Sequence, residues 1–145
     1  MAPKAVQGNG PGFTKEEKAA MRAAARERKV RSGAQDAERE VLEKIAGMDP
    51  SDRRMAERVH ALLRSEAPQL APRTWYGMPA YANAEGEVVC FFRDARKFKT
   101  RYATLGFSDA AKLDDGKMWP TDFALLELTS AEEARIVELV RRATR

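Results

Sequence analysis

Residues 74–93 read T-W-Y-G-M-P-A-Y-A-N-A-E-G-E-V-V-C-F-F-R and contain two apolar runs separated by a loop sequence. The second run, Glu87–Arg93, is the strongest strand candidate of the chain because its apolar residues are nearly continuous. The first run, Thr74–Tyr81, is expected to be extended, and N-A-E-G-E at 83–87 is typical of a hairpin loop around Gly86. The stretch therefore predicts two antiparallel strands joined by a short loop.

The N-terminal part of the chain differs in composition from the rest. Residues 1–13 are rich in Gly, Pro and Ala, and we expect a disordered tail there. Thr14 and Glu17 have the spacing of a capping box, in which each side chain bonds the backbone of the other residue. They predict a basic helical extension over residues 14–33 that ends near Arg31.

Residues 36–145 predict one domain of mixed secondary structure. The other expected elements are a helix from about Asp36, a helix from Asp49–Pro50 to the residue before Pro68, strands over Phe98–Leu105 and Phe123–Leu128, and a last helix opened by a capping box of Ser130 and Glu133. Helices and hairpins without a repeating strand–helix–strand pattern indicate an α+β fold. We expect two layers, with helices on one face of a mostly antiparallel sheet of about four to five strands.

Composition limits the classes of protein to which the chain can belong. No stretch approaches the roughly 20 apolar residues of a membrane span, and the first residues lack the apolar segment of a secretory signal. A single cysteine, Cys90, forms no intrachain disulfide and suits a reducing compartment, so we expect a cytoplasmic protein with no membrane association. Residues 1–31 carry eight Lys or Arg against three acidic residues, whereas residues 32–145 carry 18 against 19. The basic charge therefore belongs to the N-terminal helix.

The sequence favours a protein that is not an enzyme. Cys90 lies in an apolar strand, where a buried structural cysteine is expected, and nothing requires it to meet His60, the only histidine. One Cys and one His do not make a zinc site, and no phosphate loop, nucleophile elbow or dinucleotide fingerprint is present. We expect no catalytic residue set.

A ligand-binding rim is the functional interpretation of the aromatic segment, and core packing is the alternative. Gly77 and Pro79 interrupt strand pairing, and amphipathic aromatic residues beside such an irregular edge are typical of binding sites. The basic run at residues 93–101 would then supply charge for an anionic ligand, if it is not simply a solvated strand face. The expected ligand-binding residues are Tyr76, Met78, Tyr81, Lys99, Arg101 and Trp119.

A metal site is a weaker interpretation of the acidic loop at residues 109–122. Asp114 and Asp115 offer oxygen ligands that hard cations prefer, but D-D-G is also ordinary turn chemistry. We expect no resident cofactor, with iron as the one metal considered.

The motif Y-G-M-P-A-Y at 76–81, after a helix that ends in E-A-P and before a G-x-V hairpin, resembles the YdhG-like family of small bacterial domains of unknown function. The resemblance covers roughly residues 38–143. It implies a two-layer α+β fold with a helix-covered antiparallel sheet and supplies no catalytic residues. One branch of that family is described as frataxin-like iron chaperones, which implies iron binding as an alternative function.

Three functions therefore stand as hypotheses. The first is a non-enzymatic, cytoplasmic domain that binds a small anionic ligand in an aromatic and cationic pocket. The second is a frataxin-like iron-binding chaperone that uses Asp114 and Asp115. The third is association with nucleic acid through Lys15–Arg31, although a helix that solubilises the chain or docks on a partner is favoured over it.

Overall fold

The computed structural model describes residues 14–145, so the tail expected at residues 1–13 lies outside the described residues. The described residues divide into two units, one that ends at Gln35 and one that spans Asp36–Arg145. Among the described residues, no helix is both long and apolar enough to cross a membrane.

The first helix, α1, spans Lys15–Ala46 without a break. Its start confirms the predicted capping box: the Thr14 N–H donates to Glu17 Oε1 at 2.8 Å, and the Glu17 N–H donates to Thr14 Oγ1 at 3.0 Å. The predicted end near Arg31 is wrong. A glycine inside a helix costs only about 1 kcal/mol relative to alanine, and strong helix formers on both sides of Gly33 carry the helix through it.

The body is a five-stranded sheet with helices on one face, which confirms the predicted α+β class. The five strands lie in the sheet in chain order, and every neighbouring pair is antiparallel. The strands are β1 (Ala71–Trp75), β2 (Met78–Ala82), β3 (Val88–Arg93), β4 (Ala103–Phe107) and β5 (Asp122–Leu125), and the other helices are α2 (Pro50–Glu66), α3 (Ala95–Phe98) and α4 (Ser130–Ala143).

The core lies between the sheet and the helices of the Asp36–Arg145 unit. Tyr81 pairs with Cys90, and Phe92 pairs with Leu105, so that these side chains share one face of the sheet. The apolar residues of that face pack with buried residues of the helices, among them Val41, Val59, Leu63, Ile136 and Val140. Burying such a side chain fully contributes about 1.5–3 kcal/mol, so this layer is the main stabilising contact of the domain.

The opposite face of the sheet, which we call the far face, carries a different set of residues. Trp75 pairs with Met78, Ala80 pairs with Phe91, and Phe91 pairs with Gly106. The rings of Trp75 and Phe91 lie 5.3 Å apart between centroids. The far face is therefore aromatic next to the first two strands.

The segment Thr74–Tyr81 is a hairpin and not one extended strand, which corrects the sequence prediction. Tyr76 and Gly77 form a two-residue turn with φ of 50° and 75°, and β1 and β2 pair on either side of it. Positive φ at both central residues defines the type I′ turn, whose twist matches that of paired strands. Met78 therefore shares a face of the sheet with Trp75, its partner across the hairpin.

The predicted strand Phe98–Leu105 begins five residues later than expected, at Ala103. Residues Ala95–Phe98 form the helical turn α3, and Lys99 follows it in the left-handed conformation with φ of 57°. The cations of residues 97–101 therefore do not line one face of a strand.

The last helix confirms a capping box but one residue earlier than predicted. Thr129 is the N-cap of α4, and its N–H donates to Glu132 Oε1 at 2.8 Å. The last strand is shorter than predicted and ends at Leu125.

Candidate functional site

The β1–β2 turn lies at the end of the sheet where β3 leads into α3. Continuing the pairing of Ala80 with Phe91 brings Gly77 level with Asp94, the residue before α3. A Cβ atom placed on Gly77 would lie 3.0 Å from Lys97 Nζ. The Lys97 ammonium group therefore lies directly against the turn.

A cleft of about 420 Å³ opens at this end of the sheet, and we call it the turn-end cleft. Its walls come from the end of α1 and the loop after it, from the β1–β2 turn, and from the start of α3. The charged side chains of its lining, and the glycine of the turn, are Glu43, Lys44, Asp49, Gly77, Asp94, Arg96 and Lys97. Small-molecule sites commonly enclose about 300–1,000 Å³, so a small ligand fits a space of this size.

Two carboxylates fix the α3 wall of the cleft. The backbone N–H of Arg96 donates to Oδ2 of Asp52, a buried residue of α2, at 3.0 Å. The Arg96 guanidinium donates to Asp49 Oδ2, also at 3.0 Å. Both acids already have protein partners, and α3 is held to the start of α2 through them.

Asp94 differs from these two acids because its carboxylate has no partner among residues 14–145. The residue is only 8% exposed and lines the turn-end cleft. Its side chain does not cap α3, and it joins none of the side-chain hydrogen bonds or ion pairs found among residues 14–145. No buried side-chain oxygen or nitrogen among residues 14–145 lacks a hydrogen-bond partner, so the unpaired oxygens of Asp94 reach solvent through the cleft.

Lys97 is the corresponding cation of the cleft. It takes part in no ion pair within the described part of the chain, and its Nζ lies 5.6 Å from the centroid of the Phe98 ring. A cation at this distance from an aromatic face keeps its N–H donors free for other partners. Glu43 and Lys44 line the same cleft and likewise join no ion pair among the described residues, so the cleft presents two ammonium groups and two carboxylates without a protein counter-ion there.

An aromatic rim lies next to the cleft. The Tyr76 side chain, at the tip of the turn, is 81% exposed, and its ring lies 5.0 Å from that of Trp75 in an edge-to-face arrangement. Trp75 in turn contacts Phe91 on the far face. The turn therefore adds an exposed apolar surface to a charged cleft.

The structure separates the side chains that the sequence analysis grouped into one pocket. Tyr76 lies at the turn beside the cleft, and Met78 is buried beneath Trp75 on the far face. Tyr81 is 1% exposed on the helix-covered face and cannot line an open pocket. For Tyr81 the core-packing alternative is the correct one.

The remaining predicted ligand residues lie elsewhere. Lys99 is an exposed residue just after α3, outside the lining of the turn-end cleft. Arg101 lies over the ring of Tyr102 and lines a separate cleft between β5 and α4. Trp119 packs against the core and lines another cavity beside α4. These residues do not share one pocket.

Tyr81 belongs instead to a buried chain of hydrogen bonds. Its hydroxyl lies 2.9 Å from His60 Nδ1, and His60 Nε2 lies 3.0 Å from Glu38 Oε2, which also pairs with Arg64 Nε at 3.1 Å. Because a carboxylate only accepts, Nε2 donates to Glu38, and in neutral His60 the Tyr81 hydroxyl donates to Nδ1. Burial raises the pKa of Tyr81, so its hydroxyl stays protonated, and the chain joins α1, α2 and the sheet.

Cys90 is fully buried, as the sequence predicted, and lies directly across the sheet from Tyr81. Burial raises the pKa of its thiol from 9.0 to about 12. Thiolate chemistry is therefore suppressed in the folded protein at neutral pH.

Asp114 and Asp115 are exposed residues of the turn that contains Gly116. No group of three or more His, Cys, Asp or Glu side chains positioned to hold a metal ion is found within residues 14–145. The iron hypothesis thus gains no further ligand from the described residues.

Sequence reasoning missed Asp94 as a site residue. D-A-R-K at 94–97 has an Asp in the position of a helix N-cap, and this signal could have revealed α3. No signal in the sequence shows that this Asp is only 8% exposed, because burial depends on tertiary contacts.

Comparisons with protein-family models, with curated proteins and with solved structures found no match to this chain.

Proposed function

We propose that the protein is a non-enzymatic binding protein for a small anionic ligand, which it holds in the turn-end cleft. The observation that carries the proposal is the Lys97 ammonium group, which lines the cleft against Gly77 and forms no ion pair with any of residues 14–145. An ammonium group attracts carboxylate or phosphate as a point charge with three N–H donors.

The surroundings of Lys97 support an organic ligand over a bare inorganic anion. Lys44 adds a second cation to the cleft, and Met48 adds an apolar surface. The exposed ring of Tyr76 stands at the adjacent turn, where it can cover the apolar body of a ligand. Aromatic and apolar contacts with a few placed polar groups are the usual composition of small-molecule sites.

The full chain is titrated with acetate, benzoate, 3-phenylpropanoate and phosphate, and binding is monitored by changes in the amide NMR chemical shifts. Wild-type protein should bind at least one organic anion, with shifts centred on residues 76–78 and 94–98. Lys97→Gln should weaken this binding about tenfold, which corresponds to about 1.4 kcal/mol. Lys117→Gln, the same charge change in the exposed turn after Gly116, should leave the affinity unchanged.

Two results would remove the proposal. One is the absence of any saturable shift near the cleft with all of these anions. The other is an equal loss of affinity in Lys97→Gln and Lys117→Gln, because a general charge effect would then explain the binding.

Nucleic-acid binding through Lys15–Arg31 is a second candidate function. This part of α1 carries seven cations, all with exposed side chains, against three acidic residues. Neutralising those cations should flatten the salt dependence of DNA affinity, since each phosphate contact contributes a slope of about −0.9. A wild-type chain without salt-dependent DNA binding would exclude this function.

Iron binding at Asp114 and Asp115, the cytoplasmic location and the YdhG-like resemblance stay predictions. Iron titration of the wild type against the double variant Asp114→Asn/Asp115→Asn tests the first of them, and equal affinity in both proteins would exclude that site.

A further inference from the structure

We infer that the far face of the sheet binds single-stranded nucleic acid, with bases stacked on the rings of Trp75 and Phe91 and phosphates held by Arg73 and Arg93. The inference goes beyond the proposed function, because none of these four residues lines the turn-end cleft. It also uses a surface other than the basic segment Lys15–Arg31 of α1.

The helices of the Asp36–Arg145 unit leave the far face open. Trp75 and Phe91 are only half-buried, and neither belongs to the apolar cluster that joins the sheet to the helices. The partly buried rings of Trp119 and Phe123, by contrast, do pack against that cluster. An antiparallel sheet with one face on the core usually presents polar residues on the other face. Two large rings on an open face are therefore available to a partner.

The two rings lie side by side above small residues. The centroids of Trp75 and Phe91 are 5.3 Å apart, and the ring planes are inclined by 52°. Phe91 pairs with Ala80 on one side and with Gly106 on the other, so neither neighbouring position carries a side chain that would cover its ring. The exposed ring of Tyr76, 5.0 Å from that of Trp75, extends this surface. Stacking of a base on such a ring raises affinity about 5- to 150-fold.

The far face also carries two arginines. By strand register, Arg73 and Arg93 share the face of Phe91. The Arg73 Nε donates to the Thr74 carbonyl at 3.3 Å, and the Arg93 guanidinium donates to Thr104 Oγ1 at 3.4 Å. Neither guanidinium forms an ion pair within residues 14–145, so both keep their charge and further N–H donors for a ligand.

Acidic residues are scarce on this face. Strands β1 to β4 contain none, and Asp122, opposite Gly106 on the edge strand β5, is the one acid that the five strands place there. Asp94 follows Arg93 in the chain but lines the turn-end cleft. A ligand with repeated negative charges therefore meets more cations than acids on the far face.

A single strand of nucleic acid combines the two kinds of group that this face can bind. Its phosphates supply repeated negative charge for guanidinium groups, and its unpaired bases present planar faces to aromatic rings. A small anion would leave the rings unused, and an apolar protein surface would bury the arginines without a counter-charge. The bases of a duplex are already stacked on one another, so the rings would not reach them.

The experiment titrates the full chain with oligothymidylate and oligouridylate of about 12 nucleotides, within the site sizes usual for such binding, and with a DNA duplex of the same length. Binding is followed by the anisotropy of a fluorescein label on the nucleic acid and by tryptophan fluorescence. Stacked bases should quench Trp75, so the quenching should survive in Trp119→Phe and disappear in Trp75→Leu. Only the single strands should produce it, and the strand that binds more tightly identifies RNA or DNA as the preferred ligand.

Two variants assign the binding to the far face. Trp75→Leu should weaken single-strand affinity about tenfold, because it removes one stacking surface. Arg73→Gln/Arg93→Gln should reduce the salt slope of that affinity by about 1.4, since each phosphate contact on a single strand contributes about 0.7. The matched control Arg54→Gln/Lys117→Gln loses the same charge at two exposed positions outside the strands and should leave the slope unchanged.

Two further controls keep the result interpretable. Thermal unfolding of each variant checks that the fold is retained, and the double arginine variant still tests the inference if Trp75→Leu does not fold. The titrations are repeated on a chain in which the seven cations of Lys15–Arg31 are replaced by Gln. Quenching of Trp75 should persist in that chain, because the helix does not supply the stacking rings.

Four results would overturn the inference. Neither single strand quenches Trp75, or the duplex quenches it equally. Trp75→Leu and the double arginine variant, both folded, bind single strands as the wild type does. All single-strand binding disappears with the cations of Lys15–Arg31, which would assign it to the helix.

Discussion

Replacing Gly106 with alanine tests the packing of the far face. A Cβ atom at Gly106 would lie 2.2 Å from Cζ of Phe91, the residue paired with it on the neighbouring strand, and 2.6 and 2.7 Å from the two Cε atoms. Gly106 is not among the positive-φ glycines, so alanine suits its backbone and the conflict is with the ring alone. The ring must turn away for the substitution to be accommodated.

The size of the effect follows from three contributions. Inserting a methyl group into a packed site costs about 1–3 kcal/mol, and the lower end applies because the ring is the far end of a half-buried side chain. Movement of the ring also weakens its contact with Trp75, a kind of pair that contributes about 0.5–1.5 kcal/mol. Alanine in a strand regains about 0.5–1 kcal/mol relative to glycine. We expect a net loss of about 1–2 kcal/mol in the free energy of unfolding.

The assay is urea unfolding followed by far-UV circular dichroism and tryptophan fluorescence, in the wild type and in a Phe91→Ala background. Without the ring, Gly106→Ala should stabilise the protein by about 0.5–1 kcal/mol, because only the backbone contribution remains. The sign of the effect should therefore reverse between the two backgrounds, which measures the coupling between the two residues.

A Gly106→Ala variant that is as stable as the wild type, or that changes by the same amount in both backgrounds, would refute this account. The ring of Phe91 would then not lie over Gly106 in solution.

Two further predictions concern the buried residues of the core. Tyr81→Phe should lower the free energy of unfolding by about 1–3 kcal/mol, because it leaves His60 Nδ1 without its partner. The control Tyr102→Phe removes a hydroxyl that has no partner among the described residues and should change the free energy of unfolding by less than about 0.5 kcal/mol, so equal effects in urea titrations would contradict the hydrogen-bond chain. Cys90 should resist iodoacetamide at pH 8 until the protein unfolds, and fast labelling of the folded protein in mass spectra would show that the thiol is not buried. Burial raises the pKa of this thiol from 9.0 to about 12, so its ionisation should leave the free energy of unfolding unchanged below pH 9 and lower it as the pH rises from 9 towards 12.

Local patterns predicted the fold class because they depend on residues close in sequence. The apolar run at Val88–Arg93 and the capping box of Thr14 and Glu17 are of this kind. The sequence did not predict the hairpin in Thr74–Tyr81, because Tyr76 occupies a left-handed position that Asn or Gly usually fills. The helix end predicted near Arg31 is wrong because composition does not show that the helix continues through Gly33.

The candidate site was less predictable than the fold because it depends on tertiary contacts. The basic run at residues 93–101 was recognised, and Lys97 lies within it, but its surroundings come from Gly77 and from the α1–α2 loop. Tyr81 looked like a rim residue from its neighbours in sequence, and only the pairing of β2 with β3 places it opposite Cys90 in the core. Side-chain burial at a strand depends on its partners, which a single sequence does not specify.

The left-handed conformation of Tyr76 has a consequence for how the turn would respond to engineering. A bulky residue with positive φ costs of order 1 kcal/mol or more, and an Asn-Gly pair would suit the same turn without that strain. An Asn at position 76 would make a firmer hairpin but would remove the large, solvent-facing ring beside Lys97. At position 76, the stability of the hairpin favours asparagine, whereas an exposed aromatic surface requires an aromatic residue, and the chain carries tyrosine.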